Sequence, residues 1–182
     1  MSKSADCIRI ALSVLLLAAS VSAPAQSPVF RGDTLTEAAL INALVPRPGG
    51  VRTRDIAGGG PGSGSASVLV TFRTNSAAIT PEARVELDII AGALQTPQLS
   101  GFGFFVEGHA DPRGPDWYNL SLSERRAQSV VAYLAQVRGV APQRLTPVGK
   151  GETEQLYPDN PTAPENRRVT IKTKVQEGGE SD

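Results

Sequence analysis

Two stretches of helical period, each following a short β-rich run, leave this chain few folds to adopt. Residues 68–72 (Val-Leu-Val-Thr-Phe) read as a strand by composition. Thr80-Pro81-Glu82 is a helix start, with a hydroxyl cap and proline at the first helical position. Ala83, Leu87, Ile90 and Leu94 then recur at helical spacing, and Pro97 closes the helix. Residues 102–107 form a second apolar strand. Ser121 and Glu124 make an S-x-x-E capping box, and Ala127, Val130, Val131, Leu134 and Val137 give the helix it opens an apolar stripe, ended by Gly139. A third strand is expected over 145–149. A final one over 169–175 alternates cleanly and is half exposed. This β-α-β-α-β order, then a loop and a last strand, predicts an α+β fold: one mixed four-stranded sheet with its helices packed on one face.

At 182 residues the chain can bury one core with a small appendage. Lys+Arg and Asp+Glu are equal at 18 each, so there is no basic field and nucleic acid is excluded as a partner. One Cys and one His cannot supply a disulfide framework or a Cys/His zinc site, and no cofactor is expected. Residues 1–25 read as a secretory signal peptide. Lys3 and Arg9 precede a ten-residue apolar run, and Ala23-Pro24-Ala25 fits cleavage after Ala25. Residues 26–66 read as an appendage: a short helix through Glu37, Leu40, Ile41 and Leu44, capped by Thr34 or Thr36 and stopped by Pro46, then a Gly/Pro-rich linker. Whether that helix docks on the main domain or on a partner is open. The main domain is expected over 67–176, with 177–182 a disordered tail.

The chemistry concentrates in residues 105–127. A strand ends in Glu107-Gly108-His109-Ala110-Asp111, a loop rich in Pro and Gly follows, and the next helix carries Arg125 and Arg126. An acid at a strand end and an arginine on the following helix suit a small zwitterion, amine to carboxylate and carboxylate to guanidinium. The same two residues could equally pair with each other as a salt bridge. Arg126 lies nearer the apolar stripe than Arg125 does. Glu107, His109 and Asp111 alternate, so a metal site or a hydrolase built on them is a competing reading. The simpler one makes His109 a structural residue whose ring nitrogens satisfy backbone groups. Trp117 and Tyr118 either stack on a ligand or brace the loop. Asn119 is either a loop cap or a donor to a ligand carboxylate, and Arg167 and Arg168 add positive charge or protect an edge strand.

Four motifs in register carry a resemblance. Phe72-Arg73-Thr74-Asn75-Ser76, Val106-Glu107-Gly108-His109-Ala110-Asp111, residues 118–127 (YNLSLSERRA) and Asn166-Arg167-Arg168-Val169 together resemble the C-terminal domain of the OmpA family, over about residues 67–176. That domain is shared with peptidoglycan-associated lipoprotein and MotB. The resemblance implies a βαβαββ fold that binds peptidoglycan without covalent attachment, in the periplasm of a Gram-negative bacterium, through the meso-diaminopimelate of the stem peptide. By motif position, Asp111 would take the diaminopimelate amine and Arg126 its carboxylate. Asn75 and Asn119 would add hydrogen bonds, and Arg168 would line the same neighbourhood. Such a protein is not an enzyme; it links envelope to wall, with an envelope protein as a possible partner. Members commonly carry Thr where this chain has Ala110. Residues 26–66 are too few for a transmembrane barrel.

Overall fold

The computed structural model describes residues 28–46, 64–70, 72–73 and 75–174. The expected signal peptide, most of the linker and the C-terminal tail lie outside these residues. Five strands form one sheet: β1 (Val29–Phe30), β2 (Ser65–Val68), β3 (Gly103–Gly108), β4 (Leu145–Gly149) and β5 (Val169–Lys174). They run in the order β1-β2-β5-β3-β4. The β1/β2 and β3/β4 pairs are parallel, whereas β5 is antiparallel to both β2 and β3. Three helices accompany the sheet: α1 (Glu37–Leu44), α2 (Pro81–Gln95) and α3 (Asp116–Ala132). The mixed α+β architecture is the one expected.

Strand alternation places the core. Ala66, Val68, Phe104, Val106, Val169 and Ile171 are buried at every second position, and pack with Leu87, Ile90 and Leu94 of α2 and Val130 of α3. The interleaved positions Ser67, Glu107, Thr170 and Lys172 are polar. The sheet therefore has an apolar helix-covered face and a polar opposite face.

Three expectations need correction. The sheet has five strands rather than four, because Val29–Phe30 adds in parallel beside β2. The first main strand lies over Ser65–Val68, not 68–72: its ladder with β5 ends where Val68 pairs with Val169, and Phe72 instead bridges Ile79. Cross-strand pairing here overrides the stronger β composition of the next residues. The capping box does not start a helix either. α3 begins earlier, at Asp116 after Pro115, and the Ser121 hydroxyl accepts from Arg125 Nη1 inside it.

Other local signals hold. Thr80 caps α2 through the Ala83 amide, with Pro81 at its first turn. Thr36 caps α1 through the Ala39 amide. A π-helical turn over Tyr133–Val137 prolongs α3, and Gly139, at φ +72°, lets the Val140 amide bond back to the Leu134 carbonyl. The short N-terminal helix docks on the main domain. Leu40 and Leu44 are fully buried in the common core, and the Thr173 hydroxyl donates to the Leu44 carbonyl.

Candidate functional site

β3 delivers the chain to the site by passing close beneath α3. A Cβ on Gly108 would lie 2.2 Å from the Ser123 carbonyl oxygen, and one on Gly149 would meet Glu124 and Leu120 of α3 within 3 Å. Glycine at both strand ends is what permits that approach. Beyond Gly108 the backbone stays pinned: the His109 amide donates to the Arg168 carbonyl, and the Ala110 amide to the Gly151 carbonyl. Asp111 is thereby held at the rim of a cavity of about 420 Å³, which Phe72, Asn75, Tyr118, Asn119, Arg126 and Arg167 also line.

Asp111 is 6% exposed and meets two arginines. Arg113 approaches in a fork, Nε at 3.0 Å from Oδ1 and Nη2 at 2.7 Å from Oδ2. Arg167 Nη1 reaches Oδ2 at 2.7 Å. Burial pushes this carboxyl up, but the bonds from Arg113 and Arg167 outweigh it and hold the group below the usual aspartate range. Arg126 is 5% exposed. Its Nε donates to the Ser76 carbonyl and its guanidinium lies 5.1 Å from the centre of the Phe72 ring. Burial first, then the charge of Arg167, lowers its pKa, so an anionic partner would relieve both. Among the described residues Arg126 has no carboxylate partner, and Asp111 and Arg126 form no ion pair with each other. The salt-bridge reading of that pair is thus corrected: each faces the cavity separately.

Asn75 sits in the left-handed region at φ 52°, a conformation asparagine tolerates better than most residues. The Asn119 amide donates to the Gly114 carbonyl at 3.0 Å and to Glu152 at 2.6 Å, so it ties the 112–115 loop to the chain after β4. Trp117 is 73% exposed and stacks edge-on with Tyr118, which alone of the two lines the cavity.

Arg168 is not brought to this cavity. Together with Glu107 and His109 it lines a second cleft on the polar face of the sheet. Arg167 takes the place expected of it. Period-two alternation contained the signal: Arg168 shares a face with Thr170 and Lys172, and Arg167 must point the other way. Arg113, two residues beyond Asp111, grips its carboxylate. His109 meets its expectation only weakly: the Glu154 backbone lies against its ring, but neither nitrogen makes a well-aligned hydrogen bond among the described residues. Its carboxylate neighbours are Glu107 and Glu154, not Asp111.

Residues 71–169 match the OmpA family. This chain belongs to the OmpA family. The peptidoglycan-associated lipoprotein of Pseudomonas aeruginosa is 38% identical over 103 residues, covering 56% of this chain and 59% of that protein. The chain therefore spans less than two thirds of that curated relative. Among solved structures, the cell wall anchor of the T6SS from Pseudomonas aeruginosa shares 29% identity at a TM-score of 0.51, covering 63% of this chain and 81% of that one. The periplasmic domain of Helicobacter pylori MotB superposes with a TM-score of 0.54 at 23% identity, over 63% of this chain and 83% of that one, a likeness of fold alone. In OmpA-family terms the four motifs quoted above lie around one end of the sheet, with Arg167 and Arg168 of the last motif parting to opposite faces.

Proposed function

We propose that this OmpA-family domain binds peptidoglycan reversibly and without bond breakage, by holding the diaminopimelate of the stem peptide between Asp111 and Arg126. The observation that supports this most is that an acid and an arginine, both almost fully buried, line one cavity and do not neutralise each other. The ligand amine would approach Asp111 and the ligand carboxylate Arg126. Arg113 has a side chain 61% exposed, so it can swing out to solvent while the ligand amine takes its place on Asp111. Arg167 would then remain on Asp111 Oδ2. With both Asn119 amide hydrogens engaged, its side-chain oxygen is what it offers the ligand. Asn75 borders the same cavity.

Export fits this role. Residues 1–25 would be removed after Ala25, leaving the domain in the periplasm, where it would link the envelope to the wall alone or with an envelope partner. Sequencing the N-terminus of the secreted protein tests the cut.

The decisive measurement is co-sedimentation with purified sacculi and no other protein present. Wild type is expected to pellet. Asp111→Ala and Arg126→Ala should each weaken binding by about 10–100-fold, the size of one lost charge-assisted contact. Muropeptides bearing Lys in place of diaminopimelate should bind worse, lacking the side-chain carboxylate. Retention of both variants on sacculi would sink the site, and absence of wild-type binding would favour a protein adaptor. Release of soluble muropeptides would instead indicate hydrolysis.

A further inference from the structure

The second cleft, about 200 Å³ on the polar face of the sheet, is lined by Ser67, Glu107, His109, Glu154, Arg168 and Lys172, among others. Its charges do not cancel. Lys150 Nζ lies 2.7 Å from Glu154 and 3.4 Å from Glu107. Lys172 Nζ lies 2.8 Å from Glu107 and 3.7 Å from Glu154. Two lysines thus match two carboxylates, and Arg168 is left over. That arginine is 8% exposed, and its Nη2 donates to the Glu154 carbonyl at 3.2 Å. Its Nε and Nη1 are buried with no hydrogen-bond partner among the described residues. Beside it, His109 is 1% exposed; the Glu154 backbone lies against its ring, but neither nitrogen makes a well-aligned hydrogen bond among the described residues. Buried donors without acceptors are costly, and a charged one more so.

Glu107, His109 and Glu154 could bring ligand atoms within 4.8 Å of one another, as a metal site would. A divalent cation there would have to break both lysine pairs and sit beside Arg168. The field at the imidazole is positive. After burial, the charges of Arg168, Lys172 and Lys150 are what hold His109 well below its ordinary pKa and keep it neutral. A positive, donor-rich pocket suits an anion instead.

We propose that this cleft is an anion site, taking a carboxylate or phosphate group against Arg168 and Lys172 with the His109 ring as a further donor. The group could be a free ion or the end of a peptide. The site stands apart from the Asp111 cavity, so either reading can fail without the other.

His109 is the chain's one histidine, so its ring resonances report this cleft alone. The full-length protein would be titrated with inorganic phosphate, with acetate and with N-acetyl-dialanine while those resonances are followed by NMR. A saturable shift is expected. Tighter saturation by phosphate would assign a free ion, and tighter saturation by the peptide a chain terminus. Arg168→Gln should abolish the shift, and Lys172→Gln, which keeps Arg168 in place, should weaken it several-fold. Arg126→Gln, which removes a cation from the other cavity, should leave it unchanged. Unmoved resonances in the wild type, with water left to solvate Arg168, would overturn the proposal. So would a response to zinc and to none of the anions.

Discussion

Glu86 of α2 shows how one side chain sets a pH dependence. One of its carboxylate oxygens is buried without a hydrogen-bond partner among the described residues, and burial pushes its pKa up to about 7. A carboxyl raised on folding holds its proton longer in the native state. Stability therefore falls as pH rises from about 4.5 to 7, and stays lower above that. His109, kept neutral by burial, acts in the opposite sense below its ordinary value of 6.5, so the test is a difference between variants. Glu86→Gln should gain about 1–2 kcal/mol over wild type at pH 8 and almost nothing at pH 4, below both pKa values, after discounting the full shift for partial solvent screening. Denaturant titrations at the two pH values check it. Asn75 is a second residue-scale case. At its positive φ, Asn75→Gly should leave stability within about 0.5 kcal/mol, whereas Asn75→Ala should lose about 1 kcal/mol.

At the scale of elements, the site depends on how closely two strands approach one helix, and on one loop. Gly108→Ala would drive a Cβ into the Ser123 carbonyl and move β3 away from α3. Overpacking of this kind costs about 1–3 kcal/mol. It should also weaken sacculus binding, because it separates the strand that leads to Asp111 from the helix bearing Arg126. The loop after β4 is organised by Asn166, fully buried and bonded to the amides of Leu156 and Tyr157 and the carbonyls of Tyr157, Asn160 and Pro161. Asn166→Ala orphans all of these groups. It should cost about 2–4 kcal/mol in thermal or denaturant unfolding. The same loop bears Glu154, so losing its anchor should disturb both clefts.

Across the whole molecule, α1 and β1 belong to the core rather than hanging from it. Leu40 and Leu44 are as buried as Leu87 of α2. Leu44→Ala should therefore cost about 2–5 kcal/mol, comparable with Leu87→Ala, and unfold in the same single transition. A loss under about 0.5 kcal/mol, or a separate early transition, would restore the appendage reading. The two clefts are joined through a dipeptide. Arg167 reaches Asp111 while Arg168 reaches the Glu154 carbonyl, so the start of β5 serves both faces at once.

Much of this was legible along the chain. Helical period placed Leu87, Ile90 and Leu94 in the core, and proline and a threonine hydroxyl started α2; the alternation of β5 separated its apolar from its polar positions, but the strand expected to be half exposed lies in the middle of the sheet with no residue exposed. Such signals are local, and neighbouring residues suffice to express them. Asp111 and Arg126 stand out by their charge and place, whereas Asn75 and the ligand role of Asn119 follow only from the family resemblance. What spacing could not supply was partnership. Ser65–Val68 became a strand because β5 lies beside it, and α1 became core because β2 and α2 offered it a surface. Arg113 and Arg167, not Arg126, closed on Asp111. Those outcomes depend on contacts between residues far apart in sequence, whose energies exceed any local preference. The acid and the arginine are legible as two charges fifteen residues apart, Asp111 and Arg126, but whether they pair is decided only by the fold, which sets both against one cavity and keeps them apart.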